Sequence, residues 1–103
     1  MKKTTILGIF CSLFAFGNSY AAGDIEAGKE KAGICIGCHG TDGHALNPEW
    51  PNLAGQNVKY IENQLHAFQN GDRKNELMTP MAQSLSGDDI PNLAAYFNSL
   101  KAQ

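Results

Sequence analysis

Cys35-Ile36-Gly37-Cys38-His39 is the stretch from which the rest of the chain is read. Two cysteines separated by two residues, with histidine directly after the second, spell a covalent attachment site for haem. On a helical turn Cys35, Cys38 and His39 stand at i, i+3 and i+4, so both thiols and the imidazole project from one face. Thiols so placed can bond to one edge of a porphyrin while the imidazole ligates its iron. Three other uses of such a pair compete: a structural disulfide, half of a zinc site, or a thioredoxin-like redox couple. Zinc would need further ligands, yet no cysteine follows Cys38, and His44 and His66 are isolated. A thioredoxin-like pair would need a βαβ setting, and no stretch alternates convincingly as a strand.

Upstream of the motif, Lys2 and Lys3 precede an apolar run from Ile6 to Phe16, and Ser19-Tyr20-Ala21 forms a small-x-small pattern. This reads as a secretory leader over residues 1–21, with an apolar run too short for a membrane span. Cys11 lies inside the run and leaves with it. Residues 22–103 then form one domain whose two cysteines both belong to the motif. A domain this small needs a disulfide, metal or cofactor at its centre, and export and haem support each other because haem c is attached outside the cytoplasm. The leader holds two lysines and no acid. Six Lys and Arg therefore remain against ten Asp and Glu, a net charge of −4. Clustered cations of the kind that bind nucleic acid are missing. The acidic balance favours partners with a neutral or basic face.

Around the motif the pattern is helical. Asp24 is placed to cap a first helix with Glu26 in its first turn, and Ile25, Gly28, Ala32 and Cys35 fall on one stripe. Gly28 either admits a close helix neighbour or is a tolerated surface glycine. From Gly40 to Gly55 the residues signal loop, stiffened by Pro48 and Pro51 and anchored by Trp50 and Leu53. His44 in that loop reads as solvated. Asn57 caps a second helix ending at Gly71, with Val58, Ile61, Leu65 and Phe68 as its inner face and His66 exposed. Pro80 disfavours a helical Thr79, so Met78 is expected in extended chain, from which a thioether can reach a cofactor. The same residues are compatible with Met78 and Met81 merely filling core gaps. Ser86, with Asp89 three residues on, caps a last helix whose inner stripe is Ile90, Leu93, Ala94, Phe97 and Leu100.

The ordered set resembles the class I c-type cytochromes, in particular the small bacterial type found alone or as paired halves of dihaem proteins. It is carried by Gly23-Asp24 with Glu26-Ala27-Gly28, by Cys35 through Gly40, by Trp50-Pro51-Asn52-Leu53-Ala54-Gly55-Gln56, and by Tyr60 and Gln64-Leu65. Met78-Thr79-Pro80-Met81 and the stretches Leu85-Ser86 and Ala95-Tyr96-Phe97 complete it. The resemblance implies an all-α class I fold, three main helices and long loops around one covalent haem c. It implies thioethers at Cys35 and Cys38 and axial iron ligands at His39 and Met78. Met78 stands eight residues before Ser86, where the family places its ligand. Pro48 matches the proline whose carbonyl accepts the proximal histidine's Nδ1–H, and Trp50 replaces an expected phenylalanine. Gln56, Lys59 and Tyr60 are the residues set to meet a propionate.

The function so implied is that of a periplasmic single-electron carrier rather than an enzyme. It would run between a membrane quinol-oxidising complex and a terminal oxidase or reductase, without stable membrane insertion, as a monomer or weak dimer. A gas-binding or sensing haem protein with a displaceable distal ligand is the alternative. A thiol oxidoreductase using Cys35 and Cys38 is a more distant rival.

Overall fold

The computed structural model describes residues 2–5, 8 and 23–103, so most of the expected leader, with Cys11, lies outside the described residues. Five α-helices follow in order: α1 (Ile25–Lys31), α2 (Ile36–His39), α3 (Val58–Asn70), α4 (Met78–Gln83) and α5 (Asp89–Ser99). A 3₁₀ turn, Ala32–Ile34, joins α1 to α2. Among the described residues there is no strand, as the sequence implies.

Asp24 caps α1 as expected, its carboxylate accepting from the backbone N–H groups of Glu26 and Ala27. These are two of the donors that a helix start leaves without intrahelical partners. The continuous stripe expected from Ile25 to Cys35 is instead broken by the 3₁₀ turn, and Ile25 is exposed. Asn57 caps α3 by accepting from Tyr60 N–H at 3.1 Å, and Gly71 ends it. Ile61 and Phe68 are buried and Val58 and Leu65 pack partly against the core, so that inner face is as read; His66 is exposed.

Helix α5 is the central element. Ile90, Leu93, Ala94, Tyr96 and Phe97 are all buried on it, in one cluster with Ala32, Ile61 and Leu85. Tyr96, not among the residues of the inner stripe read from the sequence, is buried with them. Helices α1 and α5 cross at Gly28, where a Cβ would stand 2.0 Å from the carbonyl oxygen of Asn92. The Asn92 side chain also holds the start of α1, accepting from Asp24 N–H at 2.8 Å. Gly28 therefore admits a close neighbour and is not a tolerated surface glycine.

Gly28→Ala is expected to lower stability by about 1–3 kcal/mol, the usual cost of overpacking, although alanine favours helix by ~1 kcal/mol. Gly33→Ala, where a Cβ meets nothing within 4 Å, serves as the neutral comparison. Denaturant unfolding of the two variants checks this, and a Gly28→Ala protein at least as stable as wild type would contradict the close crossing.

Two expectations about the second half of the chain are corrected. Ser86 does not cap the last helix, which starts three residues later at Asp89. Only the acidic half of the expected box forms, with Ser86 N–H donating to Asp89 Oδ2 at 2.9 Å. That bond above all holds the Asp89 carboxyl below its ordinary range; burial opposes it, and the Lys31 ammonium 3.3 Å away assists. Met78 is not in extended chain but is the first residue of α4. Pro80 occupies the third helical position, where no intrahelical N–H bond is required, so the helix survives it. Asn75 supplies the cap that the sequence did not reveal, its Oδ1 accepting from the N–H groups of Leu77 and Met78 at 2.9 Å each.

Candidate haem-binding site

The end of α1, the 3₁₀ turn and α2 deliver Cys35, Cys38 and His39 as one compact unit. The N–H groups of Cys38 and His39 both donate to the Cys35 carbonyl, at 3.2 and 3.0 Å, which closes the turn and sets the three side chains on one side. Gly40 follows with φ 86°, and a Cβ there would lie 2.0 Å from the carbonyl oxygen of His44. Only glycine turns the chain so sharply after the histidine.

Among the described residues His39 is the one polar or charged side chain in the buried set, at 6 % exposure. Its Nδ1 lies 2.8 Å from a backbone carbonyl, and that carbonyl belongs to Pro51. The expected partner, Pro48, is corrected here. Pro48 is spent in the turn closed by Trp50 N–H on the Asn47 carbonyl at 3.0 Å. The chain then returns as Pro51-Asn52-Leu53, held by Leu53 N–H donating to Gly43 O at 2.8 Å and by Asn52 Oδ1 accepting from Ala45 N–H at 2.8 Å. The returning arm passes His39; the outgoing arm with Pro48 does not. A proton on Nδ1 leaves Nε2 with its lone pair free, and among the described residues no hydrogen bond claims Nε2. A carbonyl in that role fixes the ring's orientation and raises its basicity as a ligand.

Cys35 and Cys38 are half-buried free thiols. Burial first, then the neighbouring Cys38, pushes the Cys35 thiol up to about 11, with Lys31 opposing. A redox-active cysteine has its pKa lowered, so this environment argues against a thiol oxidoreductase.

These residues fit a haem. A buried imidazole is held with one ring nitrogen at a backbone carbonyl, beside two thiols at the attachment spacing. Apolar side chains stand exposed beside the segments concerned: Ile34 at 43 % just before Cys35, and Leu77 at 57 % and Met81 at 37 % on either side of Met78. The protein's own core is correspondingly thin, with Leu93 the one large side chain fully buried among the described residues. Met78 is half-buried and four residues before Ala82, which is fully buried on the same helix. Tyr60, one of the residues set to meet a propionate, is half exposed.

His44 departs from the solvated reading. Its Nε2 lies 3.0 Å from the Lys101 carbonyl, which ties the loop to the tail after α5, and its Nδ1 is buried without a partner. The far end of the loop is tied to α5 as well, through Gly55 N–H on Phe97 O at 2.9 Å and Asn98 Nδ2 on Gln56 O at 2.8 Å. The arm carrying Pro51 is thus fixed at both ends. Leu53 anchors the loop as expected, half-buried and packed on the core, while Trp50 is half-buried.

Residues 25–101 match the family model described as Cytochrome c. The chain is 52 % identical over 81 residues to cytochrome c-554(548) of Halomonas halodenitrificans, covering 76 % of this chain and 98 % of that protein. It is 40 % identical over 96 residues to cytochrome c4 of Pseudomonas aeruginosa, covering 93 % of this chain but 48 % of the relative. A crystal structure of reduced recombinant cytochrome c4 from Pseudomonas stutzeri superposes with a TM-score of 0.73 at 42 % identity, over 78 % of this chain and 47 % of that one. The chain therefore spans nearly all of the first relative and about half of each cytochrome c4.

Proposed function

This chain belongs to the cytochrome c family, and we propose that it is a periplasmic carrier of single electrons with His39 and Met78 as the axial ligands of its haem. As a c-type cytochrome it carries electrons and binds haem c covalently. The bound haem supplies a one-electron couple, ferrous against ferric. Cys35 and Cys38 form the thioethers that hold it, and His39 offers Nε2 to the iron. The observation that carries this reading is the buried imidazole, its Nδ1 held 2.8 Å from Pro51 O beside two thiols at attachment spacing.

On the distal side, Met78 is favoured over Met81 because it is the more buried of the two and stands on the same helix side as Ala82. A thioether is a soft, weakly basic ligand that raises the potential above that of a bis-histidine site. With both axial positions filled, no position remains for substrate, which suits a carrier rather than an enzyme. Membrane quinol-oxidising complexes as donors, and terminal oxidases or reductases as acceptors, suit a carrier exported by a leader over residues 1–21. No helix among the described residues is long and apolar enough to cross a membrane.

The visible spectrum of the purified protein, oxidised and reduced, tests the reading. A low-spin c-type spectrum with a methionine–iron charge-transfer band is expected. A high-spin spectrum would favour the gas-binding alternative, and absence of haem would favour the thiol chemistry. The net charge of −4 after the leader also predicts that electron transfer with a basic partner slows as salt rises, through the association rate. Rates unchanged across a salt series would place docking on apolar contacts instead.

A further inference from the structure

Helix α4 has six residues, too few to hold its shape or place without support from outside. Its N-terminal end is held by Asn75. Its C-terminal end is held by a residue outside α4 and its flanking turns. Gln69, in the last turn of α3, donates from Nε2 to the carbonyl oxygen of Ala82 at 2.9 Å and lies 3.4 Å from that of Leu85. Both bonds are partly buried. Ala82 and Leu85 are themselves buried, so little water is at hand to replace the amide. Helix α3 is in turn seated on the core through Ile61, with Val58 and Leu65 packed against it. The amide thus adds a directional bond to the packing of short α4 on the fixed α3, at the end where Ala82 is fully buried.

We propose that Gln69 is the positioning residue for the distal ligand: by bonding the end of α4 to α3 it keeps Met78 on the iron. This rests on Met78 being that ligand. Ala82 and Met78 stand one turn apart on α4, so a shift of the Ala82 backbone moves the methionine with it. Gln69 touches neither haem nor methionine and acts only through the helix.

The test uses ferric holoprotein titrated with imidazole, which competes with the methionine, reading loss of the charge-transfer band. Gln69→Leu keeps the side chain's bulk and removes the donor. It is expected to tighten apparent imidazole binding about tenfold, as loss of a partly buried hydrogen bond implies, and to lower the reduction potential. Gln69→Glu places a carboxylate against two carbonyl oxygens and should have the larger effect. Gln64→Leu is the control. It lies on the same helix and loses a bond of similar length, to Arg73 at 2.8 Å on the exposed side, and should leave imidazole affinity at the wild-type value. Unchanged affinity in both Gln69 variants, with the band abolished by Met78→Ala, would overturn the positioning role and leave the ligand assignment standing. A Gln64→Leu effect equal to that of Gln69→Leu would overturn it in favour of general loosening of α3. A band that persists in Met78→Ala would remove the ligand assignment, and the role of Gln69 with it.

Discussion

Met78→Ala is expected to yield a protein that keeps its haem covalently bound, loses the methionine–iron charge-transfer band and takes up exogenous ligands such as imidazole or cyanide. Its potential should fall by on the order of 0.1 V, within the ~0.8 V over which axial ligands tune haem. The haem stays because its attachment depends on Cys35 and Cys38, which lie on a different segment. The band goes because it reports sulfur on iron. Met81→Ala separates position from chemistry, since both residues are thioethers on α4. Met81 is 37 % exposed, and its loss should leave the band in place and change stability by less than about 1 kcal/mol, as partly exposed apolar side chains do. Absorption spectra and voltammetry of the two variants decide the matter, and the reverse pattern would reassign the ligand to Met81.

Replacing Cys35 and Cys38 together with alanine should abolish covalent haem and leave a largely unfolded chain. Small domains bury a limited fraction of their surface and depend on an added centre. Here the described residues fully bury one large side chain, Leu93, while Ile34 and Leu77 remain exposed next to the segments that would flank the haem. A haem stain of the denatured protein should be negative, and far-UV circular dichroism should show most helix lost. A double variant that lacks haem yet unfolds cooperatively with wild-type helix content would show that the polypeptide core suffices alone.

What could be read from the sequence was local chemistry. Asp24 and Asn57 cap their helices because the bonding groups lie within three residues, and the inner faces of α3 and α5 follow from spacing alone. The attachment motif is legible for the same reason. What escaped was set by residues distant in sequence or by the path of a loop. Counting nine residues from His39 reaches Pro48, but the turn at Asn47–Trp50 reverses the chain and brings Pro51 to the ring instead. The quoted run Trp50-Pro51-Asn52-Leu53 held that residue, read only as a stiffener.

Helix α4 forms against the sequence expectation because the restriction before proline is a preference. Bonds from Asn75 and, thirteen residues before Ala82, from Gln69 outweigh it. His44 read as solvated because its partner, the Lys101 carbonyl, lies 57 residues away. Ser86 and Asp89 have the spacing of a capping box, and Asp89 does bond back to Ser86, although the helix itself starts later.

In the proposed carrier the haem iron has both axial positions filled and exchanges electrons without binding a diatomic ligand. Voltammetry of the wild-type holoprotein, with and without carbon monoxide, measures this directly. One reversible one-electron wave whose midpoint is the same in both atmospheres is the predicted result. A midpoint that rises under carbon monoxide, with formation of a carbonyl spectrum, would show a displaceable distal ligand and contradict the claim.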